Sequence, residues 1–124
     1  MYDFAVIGAG VTGAGVARAL SRYKGNACLI EKADDVSSGA SKANSGIVHG
    51  GYAAKSGTLK GRLNVLGNQM FEDLNHHLNF GYRKTGGLVL AFDEEERLLL
   101  EDLMVNGKKY GINDLEIIMR DRIL

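Results

Sequence analysis

The stretch Phe4-Ala5-Val6-Ile7-Gly8-Ala9-Gly10-Val11-Thr12-Gly13 decides the fold. Its first part belongs to an apolar run over residues 3–7, of the type that forms a strand buried in a parallel sheet. From Val11 the apolar residues recur at helical spacing up to a Lys24-Gly25-Asn26 turn. A second apolar run of strand length covers residues 27–30. The order strand, glycine turn, helix, strand predicts a βαβ unit and therefore an α/β, Rossmann-like fold.

The glycines of this turn form a G-x-G-x-x-G string in which each has a separate physical role. Gly8 permits the tight turn, Gly10 lets the backbone approach a diphosphate, and Gly13 lets the helix pack closely on the strand. The partial positive charge at the start of the helix attracts that diphosphate. Glu31 ends the second strand, 23 positions after Gly8, where its carboxylate can accept hydrogen bonds from ribose hydroxyls. The pattern predicts a site for an adenine dinucleotide and leaves NAD and FAD open.

The composition is that of a folded protein with no excess of either charge. The 124 residues fit one domain, with 45% hydrophobic and 24% charged residues. Fifteen basic residues balance fifteen acidic ones, so we expect no nucleic-acid partner. The single cysteine, Cys28, fits a reducing compartment, and the sequence contains neither a signal peptide pattern nor a membrane-spanning apolar run. We therefore expect a cytoplasmic location, with peripheral membrane contact left open.

Beyond residue 58 the pattern predicts two helices and three short strands. Apolar residues from Leu59 to Leu78 step by three and four, which indicates a helix whose apolar stripe faces a core. Asp93 and Glu96 form a capping-box-like start for a second helix that runs to about Lys109. The strand candidates are residues 82–85, 88–92 and 115–119.

These late strand candidates are too weak to complete a doubly wound sheet. We therefore expect residues 1–124 to be the N-terminal part of a dinucleotide-binding domain that is incomplete at its C-terminus, with the substrate domain absent. Such a piece should expose apolar surface. His76 and His77 are adjacent rather than one turn apart, so the sequence predicts no metal site.

A segment rich in Ser, Gly and Asn follows the βαβ unit. It includes Ser38-Gly39-Ala40-Ser41 and Asn44-Ser45-Gly46-Ile47-Val48-His49-Gly50-Gly51. Together with the glycine string and Glu31-Lys32, it resembles the N-terminal region of FAD-dependent oxidoreductases of the D-amino-acid oxidase superfamily. Within that superfamily it is most similar to the FAD-dependent glycerol-3-phosphate dehydrogenase branch, with L-2-hydroxyglutarate oxidase as near kin.

The resemblance implies FAD as the cofactor and a role for each matching position. The residues implied for the adenosine diphosphate half are Gly8, Gly10, Gly13, Glu31 and Lys32. Those implied along the pyrophosphate and ribityl chain are Ser38, Ser41, Asn44 and Ser45. His49, with Gly50 and Gly51, would lie close to the isoalloxazine ring. No catalytic residue is assigned, because the catalytic base is expected beyond Leu124.

The resemblance also implies an oxidoreductase that takes hydride from a secondary alcohol carbon to flavin N5. Glycerol 3-phosphate is the favoured small-molecule substrate, with a 2-hydroxy or amino acid as the alternative. Electrons would pass on to a quinone, a partner subunit or oxygen. The residues alone leave two rivals open: a non-catalytic module that binds an adenine dinucleotide, and an NAD-dependent enzyme that shares the glycine turn.

Overall fold

A computed structural model describes residues 1–122. The chain forms two compact units, Met1–Ile47 (unit 1) and Val48–Leu124 (unit 2). Each unit is described by itself. Unit 1 contains the sheet and one helix, and unit 2 contains two longer helices and the coil that surrounds them.

Unit 1 is the predicted βαβ unit. Strand β1 (Phe4–Ile7) pairs in parallel with β2 (Ala27–Ile30), in a register that sets Phe4 opposite Ala27 and Ile7 opposite Ile30. Helix α1 (Val11–Leu20) connects the two strands. The Gly8 N–H extends the pairing by donating to the Ile30 carbonyl at 2.7 Å. The strand, turn, helix and strand inferred from the apolar pattern are all confirmed.

Close packing of α1 on β1 depends on Gly13. A Cβ at this position would overlap the carbonyl oxygen of Gly8, and it would lie 3.5 Å from Cγ1 of Val6. Because a backbone carbonyl cannot move aside as a flexible side chain can, only glycine lets the first turn of α1 come this near to β1. The helix start is thereby fixed directly above the end of the strand.

Unit 2 contains both predicted helices. Helix α2 (Leu59–Leu78) starts at Thr58, whose Oγ1 accepts from the Gly61 N–H at 3.1 Å, and it ends at Asn79 in a left-handed conformation. Helix α3 (Glu94–Lys109) starts at Asp93, whose Oδ1 accepts from the Glu96 N–H at 2.8 Å. The Glu96 carboxylate accepts in return from the Phe92 N–H, so the predicted capping pattern is confirmed with a shift of one residue. A short 3-10 helix covers Arg120–Arg122.

The three late strand predictions are wrong for the described residues. The ranges 82–85, 88–92 and 115–119 are coil, and β1 and β2 are the two strands of the sheet described. A strand exists only when a neighbouring strand satisfies its N–H and carbonyl groups. These segments have the composition of strands, but no strand pairs with them in residues 1–122.

The prediction that the α2 stripe faces a core is also wrong here. Leu63 is 53% exposed and Met70 is 55% exposed. Within the described part of the chain, no other helix or strand packs along α2, so the stripe has no partner element. Among residues 1–122, Ala9 is the one apolar residue that is buried. The exposed apolar surface expected from the sequence is confirmed.

None of the helices among residues 1–122 is long and apolar enough to cross a membrane.

Candidate functional site

The glycine turn between β1 and α1 starts with a backbone conformation that favours glycine. Gly8 has a φ of +96°, in the region that side chains with a Cβ rarely adopt. No atom lies within 4 Å of where a Cβ would be built, so the requirement is for conformation and not for space. The turn can therefore reverse the chain within one residue of the strand.

Ala9 is held at the middle of the turn by the segment that follows β2. Its N–H donates to Oε2 of Glu31 at 2.7 Å, and its carbonyl accepts from the Ser37 N–H at 3.0 Å. Ser37 itself has a left-handed backbone, with φ +59°. Ala9 is 2% exposed, so both of its backbone groups are satisfied inside the unit. Hydrogen bonds within unit 1 therefore hold the middle of the turn in place.

The Glu31 carboxylate accepts from three backbone N–H groups. Besides the contact with Ala9, Oε1 accepts from Lys32 at 2.8 Å and from Ala33 at 3.0 Å. These bonds, Ala9 first, hold the pKa of Glu31 below its ordinary value, so the side chain is ionised at neutral pH. A carboxylate offers about four lone pairs. One acceptor position therefore remains for a ribose hydroxyl.

Helix α1 begins with donors that no side chain of its own N-cap can satisfy, because that residue is Gly10. The Val11 N–H donates to Oγ of Ser41 at 2.8 Å. Among residues 1–122, the N–H groups of Gly10, Thr12 and Gly13 have no protein acceptor. A Cβ on Gly10 would lie 3.1 Å from the Ser41 hydroxyl, so side-chain atoms here would fill the cradle. Free donors at a helix N-terminus with room beside them fit a diphosphate.

The remaining predicted residues of unit 1 mostly bond within their own loop. Ser38 Oγ donates to the Asp35 carbonyl at 2.8 Å. Asn44 Nδ2 donates to the Ser41 carbonyl at 2.6 Å, and its Oδ1 accepts from the Gly46 N–H at 2.8 Å. The structure thus brings Gly8, Gly10, Gly13, Glu31 and Ser41 together at one turn. The side chains of Lys32, Ser38, Asn44 and Ser45 are exposed in the adjoining loop.

His49 and Gly50 belong to unit 2, where they begin a loop that we define as residues 49–55. Both are exposed. The carbonyl of His49 accepts from Nδ2 of Asn68 at 2.8 Å. Gly51 has φ +92°, and a Cβ there would lie 2.9 Å from Cγ2 of Val65. Glycine is required at position 51 for conformation and for space.

Sequence reasoning missed several residues that hold these segments in place. They are Ser37 in unit 1 and Asn68, Asn106 and Tyr110 in unit 2. Ser37 lies directly before the Ser38-Gly39-Ala40-Ser41 stretch, but its backbone role is not visible in its residue type. No sequence signal distinguishes the two asparagines from the other polar residues of α2 and α3.

Unit 2 also contains an apolar groove of about 820 Å³. Its lining includes Leu100, Leu103 and Met104 of α3 together with coil residues 87–92 and 115–119. None of the predicted cofactor residues contributes to it. Across residues 1–122, no group of three or more His, Cys, Asp and Glu residues is arranged to hold a metal ion.

Comparison with known proteins gives the family. The pattern of the family described as "DAO: FAD dependent oxidoreductase" matches residues 3–124. The chain belongs to this family of FAD-dependent oxidoreductases. Its cofactor is FAD, and its fold class is Rossmann-like. In unit 1, the free N–H groups at the start of α1, the Glu31 carboxylate and the space beside Gly10 are suited to the adenosine diphosphate half of FAD.

Three enzymes align with most or all of the chain. It is 48% identical over 124 residues to a glycerol 3-phosphate dehydrogenase of Caloramator mitchellensis, with 100% of this chain and 26% of the relative aligned. It is 35% identical to a mitochondrial L-2-hydroxyglutarate dehydrogenase of Nematostella vectensis, over 94% of this chain and 26% of the relative. A glycerol 3-phosphate oxidase of Mycoplasma genitalium is 36% identical over 89% of this chain and 29% of the relative. The chain thus spans between a quarter and a third of the length of these relatives.

Proposed function

We propose that unit 1 binds the adenosine diphosphate half of FAD at the start of α1, as part of an oxidoreductase that acts on glycerol 3-phosphate. The observation that carries the binding proposal is the set of free N–H groups of Gly10, Thr12 and Gly13 at the helix start. Glu31 supports the proposal because its ionised carboxylate has one acceptor position left and can accept a hydrogen bond from a ribose hydroxyl.

The other cofactor contacts expected from the resemblance are part of the proposal. Lys32 would lie beside the adenine ribose. The residues proposed along the pyrophosphate and ribityl chain are Ser38, Ser41, Asn44 and Ser45. Of these, Ser41 has the strongest support, since its hydroxyl already lies 2.8 Å from the Val11 nitrogen at the start of α1. His49 and Gly50 are proposed to lie close to the isoalloxazine ring.

The proposed chemistry removes two electrons from a secondary alcohol. When bound, FAD supplies the hydride acceptor, flavin N5. The substrate carbon gives up hydride, its hydroxyl proton passes to a base, and the product is a ketone. The protein's part is to bind and orient the two reactants. The electrons then leave to a quinone, a partner subunit or oxygen. A cytoplasmic location, with peripheral membrane contact where a quinone is the acceptor, belongs to the same proposal.

The choice of glycerol 3-phosphate is supported by the names of two relatives, the dehydrogenase of Caloramator mitchellensis and the oxidase of Mycoplasma genitalium. A second candidate substrate is L-2-hydroxyglutarate, favoured by the 35% identity to the Nematostella vectensis dehydrogenase. Both molecules carry a secondary alcohol and at least one anionic group, so the same flavin chemistry serves both.

Two experiments test the proposal. The first titrates the protein with FAD and, separately, with NAD, and we expect FAD to bind the more tightly. The second mixes FAD-loaded protein, expressed from its full natural reading frame, with each candidate substrate without oxygen. Loss of the visible absorbance of oxidised flavin identifies the substrate. Binding of NAD in preference to FAD would contradict the proposal.

A further inference from the structure

Five consecutive apolar residues of unit 2 lie in exposed coil. They are Leu88, Val89, Leu90, Ala91 and Phe92. The four large side chains among them are between 47% and 84% exposed. Successive side chains of an extended segment point to opposite sides, so apolar surface is exposed on both sides of this one. The composition is that of a strand, although the segment has no strand beside it.

The backbone of this segment is unpaired as well. In the part of the chain that the structure describes, the N–H groups of residues 88–91 have no acceptor, whereas the N–H of Phe92 donates to Oε2 of Glu96 at 2.7 Å. None of residues 88–92 has a positive φ, so an extended conformation is open to all of them. Unpaired backbone groups in an exposed apolar segment form a template for a second strand.

Opposite charges flank the segment. Arg83 and Lys84 precede it, and Asp93, Glu94 and Glu95 follow it directly. All five side chains are exposed. Glu94 is paired within α3. Among residues 1–122, Arg83, Lys84 and Glu95 form no ion pair. The segment therefore has a basic end and an acidic end, each with charge available to a partner.

These two ends are complementary in one orientation of a self-pair. When two copies of the segment pair antiparallel, the first end of each strand lies beside the last end of the other. Lys84 of each copy then approaches Glu95 of the other copy, and a twofold axis repeats the contact. In a parallel pair, like charges would meet at both ends, which is unfavourable. The charges therefore favour the antiparallel pair of identical segments.

We propose that residues 88–92 form an antiparallel strand pair with the same residues of a second copy of this chain, which makes a twofold dimer. Leu90 lies at the centre of the pair, opposite the Leu90 of the second copy. Each strand gains the hydrogen-bond partner that it lacks in the single chain, and apolar side chains leave water. Residues 88–92 also line the apolar groove beside α3, which offers apolar surface to the second strand. The dimer involves unit 2 alone and requires no cofactor.

Sedimentation equilibrium of the protein, expressed from its full natural reading frame, measures the dimer. Leu90→Lys places two ammonium groups opposite each other at the centre of the pair. We expect this change to raise the dissociation constant of the dimer at least about tenfold. Leu98→Lys is the matched control, because Leu98 is an exposed leucine of α3 outside the groove, and its constant should stay within about twofold of the wild type. Far-ultraviolet circular dichroism checks that both variants keep their helices.

An exchange of charges tests the orientation and leaves the apolar residues intact. Lys84→Glu and Glu95→Lys, each alone, set like charges against each other at both ends of the pair. Each should raise the dissociation constant about fivefold at low salt. The double variant restores opposite charges, so its constant should return to within about twofold of the wild type. Losses that simply add in the double variant would contradict the antiparallel pair.

Hydrogen exchange gives a further measurement that needs no variant. The N–H groups of residues 88–91 should become more protected as the protein concentration rises. A wild type that stays monomeric at every concentration would overturn the proposal. Protection of these groups in a monomer would also overturn it, because another segment of the same chain would then be their partner. A dimer that is weakened by Leu63→Lys, in the exposed stripe of α2, but not by Leu90→Lys would place the interface on α2 instead.

Discussion

The carboxylate of Glu31 accepts a hydrogen bond from the backbone N–H of Ala9 at 2.7 Å, across 22 residues of sequence. This contact joins the end of β2 to the middle of the glycine turn. An acid at the end of β2 is expected to bind the adenosine ribose. Here it also holds the turn in place, together with the bond from Ser37 to the Ala9 carbonyl. The glycine turn is thus ordered by the same residue that is proposed to recognise the sugar.

Replacing Gly10 by valine should abolish FAD and ADP binding. The Cβ would lie 3.1 Å from the Ser41 hydroxyl, and the two further methyl groups of valine would occupy the space beside the free N–H groups. We expect affinity to fall at least about a hundredfold, measured by calorimetry. Unchanged affinity in Gly10→Val would show that the diphosphate does not bind at this turn.

Gly15→Ala is the matched control for that variant. Gly15 belongs to the same helix, in the middle of α1, and no atom lies within 4 Å of the position of its Cβ. Its affinity for FAD should equal that of the wild type. Its free energy of unfolding should rise by about 0.4–1 kcal/mol, because alanine restricts the unfolded chain and favours a helix.

Replacing Gly13 by alanine should destabilise unit 1. The added methyl group would overlap the Gly8 carbonyl oxygen, so α1 must move away from β1. Overpacking of this kind costs about 1–3 kcal/mol. Chemical denaturation compares this variant with Gly15→Ala, and the two should change the free energy of unfolding in opposite directions. A Gly13→Ala protein as stable as the wild type would mean that helix and strand are not in close contact.

Glu31 should make stability depend on pH in the acid range. Hydrogen bonds from Ala9, Ala33 and Lys32 keep its pKa in the folded protein below the ordinary 4.5. The stabilisation is therefore complete above pH 4.5 and is lost as the pH falls through the lowered value. Glu31→Gln should lose this part of the pH dependence, as measured by urea denaturation between neutral pH and about pH 3. Glu95→Gln, at an exposed position of α3, should keep this pH dependence. If the free energy of unfolding of both variants depended on pH in the same way, the role given to Glu31 would be refuted.

Replacing Ser41 by alanine should loosen the start of α1. The Val11 N–H would lose its acceptor, and loss of a helix cap costs about 1 kcal/mol. Ser38→Ala is the control, because Ser38 bonds to the Asp35 carbonyl within its own loop. Thermal unfolding of the apoprotein measures the difference. If Ser38→Ala lowered the unfolding temperature as much as Ser41→Ala, the Ser41 hydroxyl would have no specific role in stabilising the start of α1.

The elements that were predicted correctly from the sequence are those that local sequence patterns determine. The βαβ unit and both long helices follow from apolar spacing and from caps such as Asp93, all of which lie within a few residues of the element they define. The strand predictions for 82–85, 88–92 and 115–119 were wrong because a strand also needs a partner, which no local pattern supplies. The Asn106 bonds to the loop were missed for the same reason, since 52 and 54 residues separate the bonded groups. The expectation that the domain is incomplete within these residues stays a prediction.

The most direct test of the account is a titration of the protein with FAD, followed by gel filtration and a visible spectrum of the protein fraction. Wild type and Gly15→Ala are measured beside Gly10→Val. The account predicts flavin absorbance that travels with the first two proteins and is absent from the third. Protein fractions without flavin in all three, or equal flavin in all three, would contradict the claim that the glycine turn of unit 1 holds the diphosphate of FAD.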